Sequence, residues 1–254
     1  EPSALGRIVH LVRDLRRRCP WDAAQTPQTL RPYLVEEVLE LDQAIASEEP
    51  DSIRTELGDL LLHLAFQVVL AEDSGQFGPE DVARTIEQKM WQRHPHLFEL
   101  GTSPGTWERS KLGERSATKR SVLDGLPAKL PAIIMAFRLQ ERAAGVGFDW
   151  PDASGPHEKV REELEELEEE ISAAGDGERI AEELGDLLFA IVNLARKLGH
   201  DPRTALEKAN SRFIERFRAV EGLATERGID LASAGLDVLD GLWDEVKETR
   251  IKQR

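Results

Sequence analysis

The hexapeptide Glu56-Leu57-Gly58-Asp59-Leu60-Leu61 recurs as Glu183-Leu184-Gly185-Asp186-Leu187-Leu188, and it does not recur alone. Upstream of it, Glu36-Glu37-Val38-Leu39-Glu40 corresponds to Glu162-Glu163-Leu164-Glu165-Glu166. Downstream, Lys89 and Arg93 correspond to Arg212 and Arg216, and Trp107 and Lys111 to Trp243 and Lys247. A loop with Trp and Asp precedes each acidic stretch: Trp21-Asp22 in the first half and Asp149-Trp150 in the second. One shared hexapeptide could arise by chance in a leucine-rich chain. Several matching pieces in the same order are the mark of a tandem duplication, so the chain must fold as two copies of one small unit. The expected division is a first domain over 1–115, a linker over 116–131 that carries Gly125-Leu126-Pro127 and Pro131, and a second domain over 132–254.

The unit is all-α. Leu5, Ile8, Val9, Leu11, Val12 and Leu15 have helical spacing, and the helix they form should end before Pro20. Cys19 to Thr26 reads as a structured loop. Helices are expected over Thr29–Ala46, from a Ser52 cap to about Ala71, and over Glu80–Arg93. Trp107–Arg115 reads as a short helix. In the second half they are expected over Ala132–Ala144, His157–Ala173, Glu178–Gly199, Pro202–Arg227 and Leu239–Ile251, with a loop at Gly147–Pro151. No segment alternates in the manner of a strand.

Composition narrows the function. The 254 residues carry 33 basic and 48 acidic side chains, a net charge of −15. Such a chain lacks the basic footprint of a non-specific nucleic-acid binder. If it handles a polyanion, a cation must stand between the two. Cys19 is the lone cysteine, so no intrachain disulfide is expected. No apolar run approaches the roughly 20 residues of a membrane span, and no secretory leader is recognisable, so no membrane association and a cytoplasmic location are expected.

The acidic pairs are arranged as a metal site would require. At roughly 100° per residue, Glu163 and Glu166 fall together on the flank of the apolar stripe Val160-Leu164-Leu167-Ile171. Glu183 and Asp186 flank the stripe Ile180-Leu184-Leu187-Leu188-Ile191 at the same offset. The first half repeats this, with Glu37 and Glu40 beside Leu34-Val38-Leu41 and Glu56 and Asp59 beside Leu57-Leu60-Leu64. Each half thus has two consecutive helices with an i, i+3 carboxylate pair at the border of the face expected to be buried. A short connection makes such helices antiparallel neighbours. Facing carboxylates raise one another's pKa, and a divalent cation relieves the repulsion. Hard oxygen ligands without His or Cys suit Mg²⁺, with Mn²⁺ as a substitute.

An acidic run by itself is usually a solvated helix face, and Glu165, Glu168 and Glu169 read as that. The Glu-Leu-Gly-Asp piece is harder to dismiss, because Gly and Asp inside an apolar helix both lower helix propensity, and here they do so twice. A di-iron bundle would need Glu-x-x-His on its helices; His63, four residues after Asp59, has no counterpart in the second half. Arg212 and Arg216 lie one turn apart, as do Trp243 and Lys247. They suit the outer oxygens of an anion and the face of a nucleobase. Ion pairing and core packing account for the same residues equally well.

Together these residues resemble the MazG family of all-α nucleoside triphosphate pyrophosphatases, whose hallmark is EExxE followed by ExxD. Both copies carry it, as Glu36-Glu37-x-x-Glu40 with Glu56-x-x-Asp59 and as Glu162-Glu163-x-x-Glu166 with Glu183-x-x-Asp186. The Cys19–Thr26 stretch, Arg93–Phe98 and Val146–Trp150 are similar to further family signatures. The resemblance implies Mg²⁺-dependent hydrolysis of nucleoside triphosphates at the α–β bond by a homodimer, whose helices complete a four-helix bundle. The second domain would be the catalytic one. It further implies Glu163, Glu166, Glu183 and Asp186 as metal ligands, with Glu37, Glu40, Glu56 and Asp59 as their first-half copies. Glu162, with Glu163, would serve catalysis as a further ligand or general base. Arg212, Arg216 and Lys247 would contact phosphate, Trp243 would line the nucleoside pocket, and Phe148, Asp149 and Trp150 would border it. Lys89, Arg93, Trp107 and Lys111 are the first-half equivalents. Some relatives carry Lys where this chain has Arg212, which replaces a point charge by a planar fork. A narrower dUTP or phosphoribosyl-ATP pyrophosphohydrolase, and a non-catalytic metal-binding scaffold, are the alternatives.

Overall fold

In the computed structural model, residues 3–94, 97, 121–173 and 176–251 are described. They form ten helices and no strand. The chain divides into two compact units, Glu1–Gly105 and Thr106–Arg254.

The first unit holds α1 (Ala4–Arg18), α2 (Pro20–Ala23), α3 (Pro27–Ser47), α4 (Pro50–Asp73) and α5 (Pro79–Arg93). Ser3 Oγ accepts from Gly6 N at 3.1 Å to start α1, and Cys19 turns extended ahead of Pro20 to end it. The stretch expected as a loop after Cys19 contains the single turn α2, with Pro20 at its first position. Thr26 and Thr29 cap α3 reciprocally, each hydroxyl accepting from the other residue's backbone N–H at 3.2 and 2.9 Å. Helix α4 starts at Pro50 rather than at a Ser52 cap. A proline at the first helical position gives up a backbone N–H that has no intrahelical partner there, and its φ is already helical. The core joins Val12 of α1 and Leu30 of α3 to Ala65, Phe66, Val69 and Leu70 of α4.

The second unit holds α6 (Ala132–Gly145), α7 (Ser154–Ser172), α8 (Gly177–Lys197), α9 (Pro202–Glu226) and α10 (Leu236–Ile251). Helix α7 begins three residues before the expected His157, because Pro156 fits in its first turn and is fully buried. Helix α10 likewise starts at Leu236, directly after Gly235 at φ +75°. Residues 121–131, expected as linker, are fastened to α6 by the buried Arg142, which donates to the carbonyls of Leu123 and Asp124 at 2.8 and 2.7 Å. A small core of Val220, Ala224 and Leu242 joins α9 to α10.

Helix α3 packs along α4, and α7 along α8. Both pairs have short connections, so each pair is antiparallel. One expectation is overturned here. The apolar stripes beside the carboxylates are largely uncovered: Val38, Leu57 and Leu64 in the first unit and Leu164, Ile171, Leu184, Leu188 and Ile191 in the second are exposed. Each pair buries only the part of its stripe that the neighbouring helix reaches.

Candidate metal and nucleotide site

In the second unit, Glu163 from α7 and Glu183 and Asp186 from α8 bring one carboxylate oxygen each to within 4.8 Å of one another. Glu163 is 5% exposed and the other two are more open. In the first unit Glu37 from α3 and Glu56 and Asp59 from α4 form the same triangle. The fourth expected ligand of each copy, Glu166 and Glu40, is exposed and stands outside these triangles. The triangles still feel them. Partial desolvation against its neighbours and the charge of Glu163 raise the Glu166 carboxyl above its ordinary range, partly offset by Lys159. Glu37 is raised by burial, then by Asp59 and Glu40, with His63 opposing. Clustered oxygens that hold protons more tightly than usual are the condition that a divalent cation relieves. The donors are all carboxylate oxygens, a set that fits a hard cation.

The two triangles differ in their cationic neighbours. Four residues before Glu163, Lys159 donates to Glu162 Oε1 at 2.7 Å and to Glu163 Oε1 at 2.6 Å. These bonds raise the ammonium's pKa, so it stays charged. Glu162 is therefore exposed and tied to a lysine beside the triangle rather than part of it. The position of Lys159 is taken in the first unit by Tyr33, whose ring stacks on His63 with centroids 6.3 Å apart. His63 Nε2 lies 3.6 Å from Glu37 Oε1. Lys159 is a site residue outside the sequence expectation, although its i, i+3 and i, i+4 spacing to Glu162 and Glu163 is a signal that the sequence carries.

Beside the second triangle opens a cavity of about 460 Å³, with Glu163, Asp186 and Lys159 on one wall. Leu139 of α6, Phe189 of α8, and Phe148 and Trp150 of the loop before α7 supply apolar surface. Phe148 is 81% exposed, so it forms the rim. Asp149 turns from the cavity to α8, where Arg196 grips it at 2.5 and 3.2 Å and Lys197 reaches it at 3.3 Å. The Arg196 hydrogen bonds hold its carboxyl below the ordinary range. Lys197 also donates to the Trp150 carbonyl at 2.6 Å. The Phe-Asp-Trp loop is thus pinned to the last turn of α8. Gln140, Asn193 and Arg196 also line the cavity, and among the described residues none that lines it belongs to α9 or α10.

The expected phosphate and base contacts on α9 and α10 form a separate group. Arg216 lies over the Trp243 ring, 5.9 Å from its centroid, and its Nε is buried without a hydrogen-bond partner. Trp243 meets Phe213 at 5.3 Å and packs on the small α9–α10 core. Lys247 pairs with Asp244 at 3.1 Å, and Arg212 is exposed on α9. In the first unit Lys89 lines a shallow groove on α5 with Phe77 and Ile86, and Arg93 ends that helix. Trp107 and Lys111 lie outside the described residues.

A duplicated pair of antiparallel helices, each pair holding a carboxylate triangle with one triangle beside a cavity, defines an all-α protein whose acidic clusters could hold a metal ion. The sequence matches the MazG nucleotide pyrophosphohydrolase domain over residues 25–98 and again over 157–221, and the chain belongs to this family. A nucleoside triphosphate pyrophosphohydrolase/pyrophosphatase MazG of Thermotoga maritima is 43% identical over 246 residues, 94% of either chain. The nucleoside triphosphate pyrophosphohydrolase of Escherichia coli K12 is 40% identical over 252 residues, 96% of either chain. The protein of that name from Mycobacterium tuberculosis is 36% identical over 147 residues, 55% of this chain and 45% of its own.

Proposed function

We propose that this chain hydrolyses nucleoside triphosphates to the monophosphate and pyrophosphate at the carboxylate triangle of its second unit. The observation that carries this reading is the meeting of Glu163, Glu183 and Asp186 within 4.8 Å at the wall of a cavity of nucleoside size. Family membership supplies the reaction class. Glu163, Glu183 and Asp186, with Glu166 at the edge, would hold Mg²⁺, which Mn²⁺ would replace. Such an ion, when bound, neutralises phosphate oxygens and acidifies a coordinated water. Lys159, held charged between Glu162 and Glu163, adds a fixed cation for the triphosphate. Glu162 accepts the proton of the attacking water as general base, which its exposure permits. The water oxygen bonds to the α-phosphorus, the bridge to the β-phosphorus breaks, and pyrophosphate leaves. Phe148 and Trp150 border the nucleoside, and Asp149 positions them through Arg196.

The domains are read as 1–115 and 132–254, joined by 116–131. A homodimer fits the uncovered stripes on α8 and α9, where Leu188, Ile191, Phe213 and Phe217 are exposed. A second copy laid on these faces would bring Arg212, Arg216, Trp243 and Lys247 of α9 and α10 into reach of a cavity they do not line within one chain. Broad specificity in cytoplasmic nucleotide-pool control is the role this suggests, with no part for nucleic acid at a net charge of −15. Among the described residues, no helix is long and apolar enough to cross a membrane.

The test is to incubate the full chain with canonical and damaged triphosphates, with and without Mg²⁺, and to separate the products by ion exchange. Monophosphate and pyrophosphate that appear only with Mg²⁺ and without diphosphate support the reading. Diphosphate with free phosphate places cleavage at the β–γ bond and overturns it.

A further inference from the structure

Two side-chain amides in the wall of the second unit's cavity are buried, and the orientation of each is set by its partner. Gln140 is 6% exposed and its Nε2 donates to the Phe189 carbonyl at 2.8 Å. A carbonyl only accepts, so the nitrogen must face Phe189, and Oε1 is left buried without any hydrogen-bond partner. Asn193 is 8% exposed, and its Oδ1 accepts from Arg196 at 2.7 and 3.0 Å. A guanidinium only donates, so the oxygen must face Arg196, which leaves the Asn193 NH₂ to donate elsewhere. Both residues line the cavity whose other walls carry Phe189, Trp150 and the carboxylate Glu163. A buried acceptor without a partner calls for an explanation, because desolvating it is costly. Nothing in the proposed hydrolysis uses Gln140 or Asn193.

We propose that Gln140 and Asn193 read the edge of the nucleobase, Gln140 Oε1 accepting from a base N–H and the Asn193 NH₂ donating to the neighbouring base acceptor. The cavity therefore takes bases that present an N–H donor beside a lone-pair acceptor. Adenine does so with its 6-amino group and N1, and guanine with N1–H and O6. A purine that has lost both the 6-amino group and the N1–H is rejected, because Oε1 would then be buried unpaired. Phe189 and Trp150 supply apolar surface for the ring. The same pattern on every canonical base means that the amides check for a base edge rather than choose among bases. The inference rests on the reading of the adjoining carboxylates as the triphosphate site.

The test measures binding apart from turnover. The α,β-methylene triphosphates of adenosine, guanosine and purine riboside are titrated calorimetrically into the full chain with Mg²⁺. Release of AMP from ATP is followed on the same preparation. The adenosine and guanosine forms are expected to bind about ten-fold or more tightly than the purine riboside form. In Gln140→Leu and Gln140→Met all three are expected to bind alike. Equal binding of the three by the unaltered protein, or no binding of any, overturns the base-reading assignment, even if AMP is released. Selective binding without AMP release supports the assignment and overturns the reaction proposed above. The comparison within the unaltered protein stands even if a Gln140 variant fails to fold.

Discussion

Gly155, in the first turn of α7, packs directly against the indole of Trp150: a Cβ at residue 155 would stand 2.0 Å from Trp150 Cδ1, 2.5 Å from its Nε1 and 2.7 Å from its Cγ. The absence of a side chain on the helix is what lets the loop tryptophan fold back to form a wall of the cavity. Gly155→Ala should push the ring out, destabilise the second unit by about 1–3 kcal/mol as overpacked sites do, and weaken binding of a non-hydrolysable nucleotide several-fold. Calorimetry and thermal melting would check both. Unchanged affinity together with an unchanged melting temperature would show that the ring does not depend on this contact.

Glu163 is the buried corner of the second triangle, and Glu37 is its first-unit equivalent. Glu163→Gln in the full chain keeps the shape and removes the charge. It should lower kcat at least about 100-fold, or roughly 2.7 kcal/mol of transition-state stabilisation, with a smaller effect from Glu37→Gln. Steady-state release of pyrophosphate decides it. Full activity in the first variant and loss in the second would move the reaction to the first unit.

Glu37 is held above the ordinary carboxylate range by burial and by Asp59 and Glu40. A proton bound more tightly in the folded chain stabilises the fold below the unfolded pKa, and this contribution disappears as pH rises through the folded value. Without divalent cation, stability should therefore fall across that window, between the ordinary carboxylate value and the raised one. Mg²⁺ should stabilise most above it, where protons no longer compete for the oxygens. Melting curves with Mg²⁺ and with chelator, from acid to neutral pH, would test this. An increment from Mg²⁺ that is the same at every pH would contradict it.

The Asp149 shift has the opposite sign. Arg196 holds its carboxyl low, so its contribution is present above the unfolded pKa and is lost as pH falls through the folded one. The two side chains are 22% and 12% exposed. Asp149→Asn should cost about 1–3 kcal/mol at neutral pH, since a charged hydrogen bond is broken and Arg196 loses its anion. The cost should shrink in acid. Urea denaturation at two pH values would measure it, and an equal loss at both would assign the effect to the loop rather than to the ion pair.

Much of this molecule could be read locally. The duplicated Glu-Leu-Gly-Asp piece and the helical spacing of the apolar residues predict two copies of an all-α unit. Three helices start a few residues ahead of where local pattern puts them: prolines are accommodated in the first turns at Pro50 and Pro156, and the last helix starts at Leu236, directly after Gly235 in the left-handed region. Periodicity also puts Glu163 and Glu166 on one helix flank. It does not say which of them stands where α7 comes nearest to α8, and the structure brings Glu163 there and leaves Glu166 outside the triangle.

Residue type and spacing alone determined the fold class, the duplication and the two acidic helix pairs, because all three follow from a period of 3.6 residues and a short connection. Tertiary packing decided the rest. Gln140 in the cavity wall meets Phe189 across 49 residues, and Asp149 behind the loop meets Arg196 across 47, and no local pattern carries a contact of that separation. It also decided that the apolar stripes remain uncovered within one chain, since burial depends on what a helix meets and not on its own sequence.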